Sequence, residues 1–374
     1  MSPSVLHIYK DYYPPVVGGI EMHINQVANG TKDEYDVRVL VANNKPKTEI
    51  EKVGDIKVVK AASWGRVASA PLCPSFGYLL KKYSADILHF HCPNPTGDVT
   101  YLLRRPKGKV VVTYHSDVVR QSWAMFVYGK FLRKFLSKAD VIMPTTPNYV
   151  ESSKYLQPFA EKCCPVPLGI DVSRFELTPE LKARAQERRK IARGKPFLLF
   201  VGRLRYYKGL HFLIQALSRI EDAHLVIVGS GPELKNIRKQ VKLFKVDNRV
   251  TLAGSVGDED LVSYYHAADV FCLPSHLRSE AYGLVQLEAM ACGVPVVSCD
   301  LKTGVPYVNQ HEKTGLIVPP AAPGKLAEAV NKLIKDITLR HRLGDTAKKR
   351  VHEQFDLPVM INKVKQIYSD VLQK

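Results

Sequence analysis

Two glutamates, Glu280 and Glu288, stand eight positions apart in SEAYGLVQLEAMACGVPVV, the stretch from Ser279 to Val297. Such a pair suits one of three chemistries: an acid/base couple, one capping and one solvated charge, or two hydroxyl acceptors for one extended ligand. Leu284, Leu287 and Ala291 mark a buried helical face, and eight helical residues rise about 12 Å. Glycosidase carboxylates work about 5–9.5 Å apart across a single bond, so the spacing fits that role poorly. It matches the two ends of a nucleotide sugar, with hexose at one end and ribose at the other. The diphosphate between them would meet the free N–H groups of a helix start near Gly283, Leu284 and Val285.

Cations that suit such a diphosphate occur in VGRLRYYKGL. Arg203 lies just beyond a strand-like run and Lys208 five residues later, before Gly209 and a helix. Two cations at the mouth of a sheet can neutralise two phosphates. A second anion-seeking feature is VVGGIE, where Gly18 and Gly19 let the backbone approach a ligand at a helix start. His115 directly follows the run VVVTY, with Asp117 two residues on. His89 and His91 end the preceding strand and share one face by the two-residue period. His89 reads as a core residue and His91 as one lining a crevice. No carboxylate or cysteine completes a tetrahedral metal set with these histidines at the usual spacing.

These residues need a scaffold that brings strand ends together, and the chain is patterned for one. VLHIY, YDVRVLVA, IKVVKA, DILHFH, KVVVTYH and VIMPTT read as strands of a first half. PFLLFVGRL, AHLVIVGSG, RVTLAGSV, DVFCLPS, PVVSC and TGLIVPP read as strands of a second. Continuous Val/Ile/Leu runs alternating with helices imply parallel sheets covered on both faces. The expected fold class is therefore α/β, with two facing Rossmann-like domains over residues 1–169 and 170–355. The amphipathic segment 356–374 completes the first domain. Strand carboxyl ends would face one shared cleft, the usual ligand position in such folds.

Composition narrows the partners. The 374-residue chain has 45% hydrophobic residues and a formal net charge of +18. No apolar run reaches the roughly 20 residues of a membrane span, and MSPSVLHIYKDYYPP reads as a first strand rather than a signal peptide. Seven cysteines without a CxxC read as reduced core residues of a cytoplasmic protein. The positive charge admits nucleic acid, an anionic membrane or an anionic substrate. No RNP, zinc-finger or helix-turn-helix pattern supports the first. In GKFLRKFLSK, Phe131, Phe135 and Leu136 share a helical face with Lys130, Arg133, Lys134 and Lys138 spread around it, which suits peripheral contact with the inner face of a membrane.

GGIE, YHSD, GRLRYYKG, GSGPE, GSVGDEDL and the E-x7-E stretch occur in this order. Together they resemble the retaining family-4 glycosyltransferases of the GT-B fold, over essentially the whole chain. The stretches LHFHCPNPTGD, TTPNYVESS and TGVPYVNQHEKTGLIVPP look like the bacterial lipopolysaccharide, capsule and exopolysaccharide subgroup. The resemblance implies a nucleotide-sugar co-substrate and hexosyl transfer to a glycan or lipid-linked acceptor, with no metal or other cofactor and no nucleic acid. Gly18 and Gly19 would meet the donor phosphate, Arg203 and Lys208 would hold the diphosphate, and Gly231 would belong to the donor site. Glu280 would bind donor-sugar hydroxyls and Glu288 the ribose. Ala281, Tyr282, Gly283, Leu284 and Val285 would contact phosphate and sugar, with Val256 near the base. His115 would sit by the reacting sugar. The acceptor would lie near Asp11, Tyr12, Tyr13, His91, Asn94 and Asp117. Arg205, Tyr206 and Tyr207 stand where members often carry an acidic residue or proline, and Lys302 where many have glycine; both departures bear on donor choice. UDP-glucose is the first expectation for the donor and GDP-mannose the second. The competing expectations are another GT-B enzyme, such as an epimerase or phosphorylase, and a non-catalytic nucleotide- or glycan-binding protein.

Overall fold

The computed structural model describes residues 2–16, 18–67, 70–118 and 122–373. The chain divides into two compact units, Met1–Leu168 with Leu357–Lys374, and Gly169–Asp356.

The first unit is built on a seven-stranded sheet. Its strands are β1 (Ser4–Ile8), β2 (Asp36–Ala42), β3 (Glu49–Val53), β4 (Ile56–Ala61), β7 (Ile87–Cys92), β8 (Lys109–Tyr114) and β9 (Val141–Pro144); β5 (Arg66–Val67) and β6 (Ala70–Pro71) form a separate ribbon. The order is β3-β4-β2-β1-β7-β8-β9. All neighbours are parallel except β3 and β4. The crossovers carry α1 (Gly19–Thr31), α2 (Phe76–Lys82), α3 (Pro95–Arg104), α4 (Ser122–Leu136) and α5 (Pro147–Ser152). β7 and β8 are almost wholly buried, which explains the apolar run of β8, while β7 carries His89 and His91 within its buried length.

In α4 the buried stripe is Tyr128, Leu132, Phe135 and Leu136, whereas Phe131 is 43% exposed. Phe131 therefore does not share the buried face expected for it. It sits at the stripe's flank, outside the i, i+4, i+7, i+8 positions that the core takes up.

The second unit has six strands, β10 (Phe197–Val201), β11 (His224–Val228), β12 (Val250–Gly254), β13 (Val270–Leu273), β14 (Val296–Cys299) and β15 (Gly315–Val318). They form an all-parallel sheet in the order β12-β11-β10-β13-β14-β15. Its helices are α6 (Pro179–Arg189), α7 (Leu210–Leu217), α8 (Leu234–Leu243), α9 (Asp258–Ala267), α10 (Leu284–Ala291), α11 (Val305–Val308), α12 (Pro323–Lys335) and α13 (Ile337–Gln354).

The last helix, α14 (Leu357–Gln373), returns to the first unit. Met360, Ile361, Val364, Ile367, Tyr368 and Val371 recur at helical spacing and join Val5, Tyr9, Ile24 and Val27 in one core. Each such side chain contributes about 1.5–3 kcal/mol on burial. Among the described residues no helix is long and apolar enough to cross a membrane, and all seven cysteines are free.

Candidate active site

In the second unit the strand order reverses between β10 and β13, which puts the segments following these two strands on either side of a switch point. Arg203 and Lys208 follow β10, and Glu280 follows β13. Gly231 follows β11 and Val256 follows β12, so all of these lie at the carboxyl edge of one sheet.

Lys208 and Glu280 meet there as a nearly buried ion pair, Nζ to Oε2 2.6 Å. Ser275 donates its hydroxyl to the same Oε2 at 2.7 Å. Burial lowers the Lys208 pKa, but the charge and hydrogen bond of Glu280, together with Tyr207 and Glu288, outweigh it and hold the ammonium above its ordinary value. Lys208 is thus paired rather than a free cation. Arg203, in contrast, is exposed and has no ion-pair partner among the described residues.

Two glycines make this arrangement possible. Gly209 has φ +69°, and a Cβ there would lie 2.0 Å from the Pro274 carbonyl, so the β10 and β13 connections can touch only at a glycine. Gly283 has φ +74° and caps α10. Leu284 and Val285 open that helix with no side-chain cap, so their amides lack an intrahelical partner. Gln286 ties the turn by donating to the Tyr282 carbonyl at 2.7 Å. The backbone of Ala281 is held from the next loop, the Gly304 amide donating to its carbonyl at 2.8 Å.

Glu288 lies in α10 itself, where Tyr265 donates to its Oε2 at 2.6 Å. Burial raises its pKa, and the Tyr265 hydrogen bond partly offsets the rise. The helical rise of about 12 Å expected between the two glutamates does not hold, because α10 begins only at Leu284. Half of the eight-residue path is turn, broken by the left-handed Gly283, so the separation is not set by helix geometry.

In the first unit the histidines form a cluster. His7 and His89 are register partners on β1 and β7, and His91 follows on the same face. His7 Nδ1 lies 3.0 Å from His91 Nε2, and His91 Nδ1 lies 3.2 Å from His115 Nε2. His89 is bound on both nitrogens, by Tyr368 at 2.6 Å and Thr113 at 2.7 Å. His23, from α1, packs edge-on against His115 with ring centroids 5.1 Å apart, and neither of its nitrogens has a partner. Burial lowers every one of these pKa values, that of His23 to about 4 and that of His7 to about 3.

Several acceptor-side expectations change here. His91 is 0% exposed, so it does not line an open crevice; it is enclosed by the other imidazoles. Asn94 is also fully buried and caps α3, accepting from the Gly97 amide. Asp11 is held by Arg66 through two hydrogen bonds. Asp117 accepts from Tyr114 and Ser153, both at 2.7 Å. Tyr13 is partly exposed, and Gly18 and Gly19 form the extended cap and first residue of α1. Sequence reasoning missed Ser275 and Tyr265, which orient the two glutamates, and His7 and His23. The signal for the last two was a polar residue inside an otherwise apolar strand, VLHIY, and a histidine one helical turn after Gly-Gly.

Residues 182–350 match the family described as Glycosyl transferases group 1, and residues 17–174 match Glycosyltransferase Family 4. The chain is 34% identical to the O-antigen chain mannosyltransferase C of Escherichia coli, over 99% of both chains. It is 34% identical to the D-rhamnosyltransferase WbpZ of Pseudomonas aeruginosa, over 94% of this chain and 92% of that one. A sucrose-phosphate synthase from Thermosynechococcus elongatus shares the fold, with TM-score 0.82, 22% identity and 99% of each chain covered. The two family matches, and 34% identity over nearly the whole length of two transferases, place this chain in the GT-B glycosyltransferases of group 1 and family 4.

Proposed function

We propose that the chain transfers a mannose-configured hexosyl unit from a GDP-linked donor to a saccharide or lipid-linked saccharide in surface polysaccharide synthesis, with retention and with no metal required. The observation that carries this reading is the buried Lys208–Glu280 pair beside the uncapped start of α10, with Arg203 unpaired nearby. Glu280 Oε2 is taken by Lys208 and Ser275, which leaves Oε1 to accept from sugar hydroxyls. The first expectation, UDP-glucose, gives way to GDP-mannose in this proposal. Its support is that the relatives named above transfer mannose and D-rhamnose, which share the axial 2-hydroxyl, and that another relative is a GDP-mannose-dependent mannosyltransferase.

In this scheme the bond from C1 to the diphosphate breaks on the face where the acceptor oxygen attacks. The acceptor's proton passes to the departing phosphate oxygen. Arg203, Lys208 and the Leu284 and Val285 amides stabilise the charge that develops on the leaving group. His115 holds a donor hydroxyl. A thermal-shift and nucleotide-release screen of GDP-mannose, GDP-D-rhamnose and UDP-glucose tests the donor, since a ligand of the folded chain raises its apparent stability. A larger shift and faster release with UDP-glucose overturns the choice. Loss of activity on EDTA treatment overturns the metal-independent scheme.

Peripheral membrane contact is a second part of the proposal. Its support is the exposed row Phe126, Val127 and Phe131 on α4, with Leu103 on α3, among Lys130, Lys134, Arg104 and Arg105. Apolar side chains ringed by cations suit an anionic interface. Sedimentation with phosphatidylserine vesicles that is lost at moderate salt supports an electrostatic mode. Equal sedimentation of the Phe126→Ser/Phe131→Ser variant argues against it.

A further inference from the structure

Five buried histidines gather in the first unit, and the proposed reaction uses one of them. Two overlapping triads have ligand nitrogens all within 4.8 Å of one another: His7, His89 and His91, and His23, His91 and His115. The first is already satisfied in part, because hydroxyls of Tyr368 and Thr113 occupy both nitrogens of His89. The second is different. His23 is 4% exposed and neither of its nitrogens has a partner. A buried imidazole in that condition pays a desolvation cost that a ligand would relieve.

We propose that His23, His91 and His115 form a site for a zinc-like divalent transition metal, and that its occupancy inhibits transfer by withdrawing His115. The clause on inhibition rests on the role given to His115 above; the site itself does not.

The geometry supports it at three points. His91 Nδ1 and His115 Nε2 already lie 3.2 Å apart. Two zinc–nitrogen bonds of about 2.0–2.1 Å at a tetrahedral angle separate their nitrogens by about 3.3 Å. His23 stands edge-on to both rings, 5.1 Å and 5.9 Å between centroids, and no hydrogen bond of its own ring resists a small rotation toward them. The far side of His91 supplies the outer support that metal-bound imidazoles need: Nε2 faces His7 Nδ1 at 3.0 Å, and the tautomer in which Nε2 donates leaves Nδ1 free to ligate. Burial keeps the three rings neutral, so protons do not compete for the lone pairs at neutral pH. An all-imidazole set selects zinc, cobalt, nickel or copper over magnesium or manganese. Three protein ligands leave a fourth position to water.

The test uses the full chain, stripped with EDTA and dialysed, and titrated with cobalt(II). The expected result is one ion per chain with the visible bands of a tetrahedral nitrogen site, displaced by zinc. His23→Gln and His115→Asn should each abolish the bands, and His7→Gln should weaken binding about 10- to 100-fold. Absence of cobalt and zinc binding overturns the site, and so do bands that survive both ligand variants. If those variants do not fold, zinc titration of the wild-type chain followed by histidine NMR decides it: the signals of His23, His91 and His115 must shift together. Zinc should lower turnover, with EDTA restoring it. Binding without inhibition overturns the second clause alone. A chain inactive with every donor leaves the cobalt readout intact, so failure of the transferase reading is separable.

Discussion

The two units present the same kind of edge and treat buried charge in opposite ways. In the second unit, Glu280 is buried against Lys208 and stays part of a charged, hydrogen-bonded pair. In the first, Asp98 is fully buried with the Tyr128 hydroxyl, the Cys92 thiol and the Asn94 amide on it but no counter-charge among these partners, and burial pushes its pKa up to about 7. The neighbouring imidazoles are likewise neutral. Burial of a carboxylate without a counter-charge favours its protonated form even when hydroxyl, thiol and amide donors reach it. The second unit's edge therefore holds an ion pair, while the first unit's buried histidines are held neutral by burial and its buried Asp98 titrates near pH 7.

Removing one partner of the charged pair should break that contrast most severely. Lys208→Met leaves Glu280 buried without compensation, costing about 3–5 kcal/mol in urea unfolding and about 10²- to 10³-fold in kcat/KM. The Lys208→Met/Glu280→Gln variant should recover most of the stability and none of the activity. Recovery of both would show the pair to be structural only.

Asp98 tests the other side. Between pH about 4 and 7 the folded chain keeps a proton on Asp98 that the unfolded chain has lost. Its contribution is therefore fully present below pH 3.8 and is lost as pH rises through 7, by up to about 1.4 kcal/mol per pH unit. Denaturation at a series of pH values should show this slope in wild type and a flatter one in Asp98→Asn; equal slopes would sink the assignment.

Smaller effects sharpen the picture. Arg203→Ala should lower kcat/KM about 10- to 100-fold, since a hydrogen bond to a charged group is lost. Stability should stay within about 0.5 kcal/mol, because the side chain is exposed. Tyr265→Phe should cost about 1 kcal/mol of stability and raise KM for the donor, by leaving Glu288 without its donor hydroxyl.

The parallel strands were readable because buried strands are continuous apolar runs, as in KVVVTY and FLLFV. β3 was missed: EIEKV is half charged and lies at the sheet edge, where alternation replaces an apolar run. The turn Gly54–Asp55 between Val53 and Ile56 was the cue, a two-residue hairpin signal. α12 and α13 went unread although Pro323 and Asp336 mark their starts. At the site, the residue types after β10 and β13 were legible from motif order. Their pairing was not, because Lys208 and Glu280 are 72 positions apart and meet only when Gly209 lets Pro274 approach.

The return of α14 to the first unit has a consequence for biosynthesis. The ribosome delivers Met1–Leu168 early, yet Val5, Ile24 and their neighbours must wait for Met360 to Val371 to cover them. The middle of the chain, Gly169–Asp356, is therefore fully synthesised before the first unit has its last helix, so the unit that begins the chain is the one completed last. A nascent chain stalled before residue 357 would carry an uncovered apolar face, a natural substrate for chaperones and proteases.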